Sequence, residues 1–147
     1  MAQTFTIIKS LVLEEVAMQT AYIGAKIIQG DKTAYEQIFT TTDDYSKLER
    51  FWNEAISFTS GSLKKYITAV TGTDTMTITL DLPARYDTAQ NNSVQKSLFS
   101  YFVNYITSKW MVIANRPDAE YYEKYANENM KDVLSKIFSI KKPTRPS

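Results

Sequence analysis

LERFWNEAISFTSGSLKKYITAV, residues 48–70, followed after Thr71–Asp74 by TMTITLDL, residues 75–82, decides how this chain folds. In the first stretch Leu48, Phe51, Trp52, Ala55, Ile56, Thr59, Leu63, Tyr66, Ile67 and Val70 recur at helical spacing. Lys47, Glu49, Arg50, Glu54, Lys64 and Lys65 mostly fall elsewhere on the wheel. The spacing predicts one amphipathic helix over Leu48–Val70, with Gly61 between Ser60 and Ser62 as the point where it kinks or is interrupted. In the second stretch Met76, Ile78, Leu80 and Leu82 alternate with Thr75, Thr77, Thr79 and Asp81, the period of a strand with one buried face. A solitary strand leaves backbone amides and carbonyls unpaired, so it requires a partner from Gln3–Lys9 or from another copy of the chain.

Outward from this stretch the pattern is helical. Val12, Val16, Ile23 and Ile27 form a stripe over Ser10–Ile28, with Ser10 as N-cap and Glu14 and Glu15 where the helix dipole favours negative charge. A short segment at Tyr35–Phe39 follows, and Thr40–Asp44 opens the second helix. Beyond Pro83, a third helix ending near Asn115 carries Val94, Leu98, Phe102, Tyr105, Ile106, Trp110 and Ile113. Its aromatic residues Phe99, Tyr101, Phe102, Tyr105 and Trp110 encircle the wheel. Such a helix is either buried by its own chain or turns one face to another subunit. Pro117 suits the start of a fourth helix with Tyr122, Ala126, Met130, Val133 and Ile137 on one face. The expected architecture is mainly α: a four-helix domain over 1–139 with one short β-strand or hairpin. Residues 140–147 form an extended basic tail that Pro143 and Pro146 keep out of helix.

Composition narrows the chemistry. The 147 residues contain neither cysteine nor histidine, which excludes disulfides, thiolate nucleophiles, histidine-based triads and the usual zinc sites. A net charge of +1 supplies no global field toward nucleic acid or an anionic membrane, and no apolar run approaches a membrane span. A soluble protein without cofactor or bound metal is expected. The pairs Glu14 with Glu15, Asp43 with Asp44, and Glu120 with Glu123 read as caps and solvated faces. The four glycines form no phosphate-binding loop, and no serine sits in a nucleophile elbow, so the chain is not expected to be an enzyme. Local basic clusters are Lys64 with Lys65, and Lys141, Lys142 and Arg145 near Lys131 and Lys136. They allow non-specific contact with phosphates, an acidic partner, or solvent.

The order of elements, with Asp43 and Asp44 opening a helix, Ala55 near its middle, a strand over Thr75–Leu82, Pro83, and a long helix Asn92–Asn115 ending near Trp110 and Arg116, resembles the small helical head-tail connector (adaptor or neck) proteins of tailed bacteriophages. In tyrosine-rich, cysteine-free style it is also similar to neck and tail proteins of Bacteroidetes phages. The resemblance covers Asp43–Arg116. It implies a virion structural protein of the neck or tail, present in host cytoplasm during assembly, that forms a homo-oligomeric ring of about a dozen copies around the DNA channel. Portal and tail proteins are the implied partners, and the membrane is not one. Ile140, Lys141, Lys142, Pro143, Arg145 and Pro146 become the expected portal-docking segment. Met76, Ile78, Leu80, Tyr101, Tyr105 and Trp110 become the expected subunit interface. The alternative is a small helical interaction module or regulator that acts as a monomer or dimer; stoichiometry separates the two.

Overall fold

A computed structural model describes residues 2–27, 44–72, 74–114 and 116–137. The chain begins with strand β1 (Ala2–Ile8), which runs directly into helix α1 (Lys9–Ile27). Helix α2 (Tyr45–Ser62) leads to a hairpin of β2 (Ile67–Thr71) and β3 (Thr75–Asp81). A single 3-10 turn, Thr88–Gln90, then opens onto helix α3 (Asn91–Ala114), followed by helix α4 (Arg116–Ile137). The protein is therefore mainly helical, with four helices and one small antiparallel sheet, in the order β1-β3-β2, among the described residues.

The partner that the alternating stretch requires comes from the chain itself. β1 lies antiparallel to β3 from Ala2 opposite Asp81 to Ile8 opposite Thr75. β2 flanks the other side, with a bulge between Ile67 and Ala69. Period-two patterning sends Phe5, Ile7, Met76, Ile78 and Leu80 into the core and leaves Thr4, Thr6 and Thr75 exposed.

The sequence reading errs in the length of the second helix. Leu48–Val70 is not one helix: α2 stops at Ser62, Leu63 closes it through its N–H to the carbonyl of Thr59, and Ile67–Thr71 is strand. The helical spacing of Tyr66, Ile67 and Val70 is also compatible with a β-branched segment whose neighbours lie across a sheet, and pairing with β3 decides between them. The hairpin turns through Gly72, whose φ of 96° belongs to the left-handed region. A Cβ there would lie 1.8 Å from the Thr75 carbonyl oxygen, so the turn needs glycine.

α3 is the central element. It packs on α1, α2, α4 and β1, and its middle, from Tyr101 to Met111, is buried apart from Asn104 and Lys109. Of the two readings for a helix that is aromatic all round, burial by its own chain is the one observed. Trp52 of α2 meets the Phe102 ring with centroids 5.0 Å apart, and both are fully buried. Val12 and Val16 of α1, and Ala126, Met130, Val133 and Ile137 of α4, complete the core. Lys9, at the β1–α1 joint, is buried yet ion-paired to Glu49 of α2 at 3.2 Å and to Asp74 of the hairpin at 2.7 Å. A buried ammonium is tolerable only with such partners, and here it ties three elements together. The Tyr35–Phe39 segment, the Thr40–Asp43 cluster and the whole tail from Ile140 lie outside the described residues.

Candidate functional site

Large apolar side chains left in water mark where a small domain meets something else. In α2, Leu48, Trp52, Ala55 and Thr59 form the buried stripe, and Phe58 stands off it, 57 % exposed. Near the end of α3, Val112 and Ile113 are 49 % and 55 % exposed. These residues lie along one cleft beside α2 and floored by α3, which α4 walls only at the Phe58 section. The section beside the start of α2 encloses about 350 Å³ among Lys47, Arg50, Phe51, Glu54, Lys109, Val112 and Ile113. A second section of about 190 Å³, lined by Phe58, Tyr101, Tyr105, Ala119 and Glu123 among others, shares Lys109 and Val112 with the first.

The floor follows from the spacing of α3, since Tyr101, Tyr105, Lys109 and Val112 repeat every three or four residues and share a face. The Phe58 and Tyr105 rings lie 5.5 Å apart, and those of Tyr101 and Tyr105 lie 5.9 Å apart. The Tyr105 hydroxyl donates to Glu54 Oε2 at 3.3 Å, Arg50 Nε reaches Glu54 Oε1 at 3.5 Å, and Lys109 Nζ sits 5.4 Å from the Tyr105 ring centre. Burial pushes the Tyr101 hydroxyl up to about 12. The Tyr105 hydroxyl is also raised, chiefly by burial, then by the negative charge of Glu54 beside it. Both phenols therefore stay protonated at neutral pH, as hydrogen-bond donors in an apolar floor. Lys47, Arg50 and Lys109 against Glu54 make the first section net positive. An apolar cleft with a cationic rim suits an amphipathic segment carrying carboxylates.

The residues expected at a subunit interface lie elsewhere than at the surface. Met76, Ile78 and Leu80 are fully buried on the central strand, and Trp110 is 5 % exposed. Their surface is spent on the chain's own core, which removes them as contacts for another subunit. Tyr101 and Tyr105 are nearly as buried, but their rings line the cleft floor. Ile140, Lys141, Lys142, Pro143, Arg145 and Pro146 lie outside the described residues. Phe58 and Val112 do not stand out in the sequence because the apolar stripe is read for what it contains; a large apolar residue off the stripe is the available signal. Among the described residues no group of three or more carboxylates could hold a metal ion, and no helix is long and apolar enough to cross a membrane. The chain matches no family model, no curated protein and no solved structure.

Proposed function

We propose that this chain is a non-enzymatic assembly protein, a head-tail connector or neck subunit of a tailed phage that repeats around the DNA channel and joins portal to tail. The observation that carries this reading is the cleft along α2 and α3, walled by α4 at one section, with Phe58, Val112 and Ile113 about half exposed at its edges. Burying three such side chains is worth several kcal/mol, at about 25 cal/mol per Å² of apolar area removed from water. The order of elements from Asp44 through α2, the hairpin and α3 supports the connector form of the reading. On this reading the virion is the destination and host cytoplasm the site of assembly. A helix-binding cleft also suits a small interaction module that engages one partner without repeating.

Light scattering on the full-length protein and on a version ending at Ser139, across a range of concentrations, separates the two. The connector reading expects a large closed oligomer, or a monomer that converts to rings as concentration rises. A monomer or a simple dimer at every concentration would favour the interaction module.

A further inference from the structure

The cleft has a counterpart on the same chain. Along α1, Val12, Val16 and Thr20 are buried, while Leu11 and Met18 are 50 % and 55 % exposed. Glu14 and Glu15 are exposed between them. At about 100° per residue Leu11, Glu14 and Met18 occupy the face of α1 directed away from the core, and Glu15 lies at its edge, beside the α3 residues Phe99 and Val103. Positions i, i+3, i+4 and i+7 are the ones with which a helix fills a groove. Leu11 and Met18 are thus two apolar anchors, two turns apart, with a pair of carboxylates and no cation among them.

We infer that the outer face of α1 of one copy seats in the cleft along α2 and α3 of the next. The inference rests on the assembly reading and names the surfaces through which it operates. Charge fixes the match, because Glu14 and Glu15 bring two negative charges to a section where Lys47, Arg50 and Lys109 outnumber Glu54. Both self-matches are disfavoured: cleft against cleft opposes the cations, and α1 against α1 opposes the carboxylates. A two-fold contact through either surface is therefore the worse solution, and the head-to-tail contact the better one.

The α1 that fills the cleft is that of another copy. α1 packs on the side of α3 that carries Val103 and Thr107, where Gln19 Oε1 accepts from the Thr107 hydroxyl at 3.1 Å. The cleft floor of Tyr101, Tyr105, Lys109 and Val112 lies about half a turn of the wheel away. An α1 fixed on one side of α3 does not reach a cleft on the other. Donor and acceptor surfaces on opposite sides of one subunit are what a ring or filament requires. The contact also gives an occupant to five apolar side chains that are about half exposed: Leu11, Met18, Phe58, Val112 and Ile113.

The absence of native cysteine makes the test direct. Met18→Cys and Val112→Cys, both at exposed positions, are made as separate full-length proteins, checked for folding by circular dichroism, and oxidised alone and mixed. The mixture is expected to give a disulfide-linked heterodimer that neither protein forms with itself in comparable yield. Glu14→Lys with Glu15→Lys is expected to weaken self-association about tenfold or more. Mixing that variant with Lys47→Glu, Arg50→Glu is expected to restore it. Val112→Cys linking to itself, or oligomers of unchanged mass that neither cross-link in the mixture nor respond to charge reversal, would overturn the docking and leave the assembly reading standing. Monomers at every concentration, with no cross-link, would remove both.

Discussion

At its N-terminal end α3 is tied to the sheet by side-chain amides. Asn91 donates to Gln3 at 2.7 Å and accepts from the Tyr86 hydroxyl at 2.7 Å, and Gln95 pairs with both backbone groups of Thr6. At its C-terminal end Val112 and Ile113 face water beside a cleft edged by Phe58. One helix thus has a finished end, where polar groups of the chain satisfy one another, and an unfinished end, where apolar surface is left over. Hydrogen bonds close the first because the exposed strand edge of β1 would otherwise invite another strand. The second stays open among the described residues, none of which covers Val112 and Ile113. Substitutions at the finished end should therefore cost stability, and those at the unfinished end should cost association.

The largest expected effect breaks the finished end through its hairpin. Gly72→Ala places a Cβ against the Thr75 carbonyl and forces a left-handed φ on alanine, which should cost about 3 kcal/mol or more, read by urea denaturation. Gly61→Ala is the internal control. No atom lies within 4 Å of the new methyl in the last turn of α2, and the substitution should stabilise by about 0.5–1 kcal/mol. Opposite signs for one chemical change would place the cost in the turn. Equal effects would mean that Gly72 has no special role.

A second test asks how dry the floor of the open cleft is. Buried Tyr101 holds its proton up to about pH 12, against roughly 10 in an unfolded chain. Because the folded value is the higher one, this contribution is complete below pH 10 and is lost as pH rises toward 12. The difference is worth between about 2 and 3 kcal/mol at one tyrosine, with Tyr105 adding in the same direction. Stability followed from pH 8 to 12 should fall, and Tyr101→Phe should flatten the fall. If the tyrosine titration lost in Tyr101→Phe, read by ultraviolet difference spectra against the unsubstituted protein, were one centred near 10, water would reach the floor freely.

The same contrast explains what the sequence could tell. The core was legible wherever one period dominated, as in Met76, Ile78 and Leu80 along β3 or Ala126, Met130, Val133 and Ile137 along α4. Gln3–Lys9 was legible as a partner for β3 because a buried strand must pair. It was not legible that Ile67–Thr71 leaves the helical pattern, since Ile67 and Val70 serve either period and only pairing across the hairpin distinguishes them. The cleft was hidden for a related reason. Phe58, Val112 and Ile113 become a surface only when α2 and α4 are set on either side of α3, and no local spacing encodes that distance. Lys9 was hidden as well, because its burial depends on Glu49 and Asp74, remote in sequence and both brought within reach by the fold.

The smallest effect, and the one that sharpens the comparison most, is expected from Gln95→Ala. Thr6 turns its N–H and carbonyl away from β3, and the Gln95 amide meets both as a neighbouring strand would, accepting from the N–H at 3.1 Å and donating to the oxygen. Because these groups lie near solvent, water replaces much of what is lost, and the cost should be about 1 kcal/mol. Equilibrium stability alone would not distinguish this latch from ordinary packing, so the decisive reading is amide hydrogen exchange at Thr6. Exchange there should accelerate in Gln95→Ala but much less in Gln95→Glu, which keeps the acceptor for the Thr6 N–H and discards only the donor to its carbonyl, while cross-linking between Met18→Cys and Val112→Cys stays as it was. If opening the β1 edge instead abolished the cross-link, the two ends of α3 would be coupled and the division between a folding end and an assembling end would fail. If Thr6 exchanged no faster in Gln95→Ala, the edge would be protected by something other than Gln95.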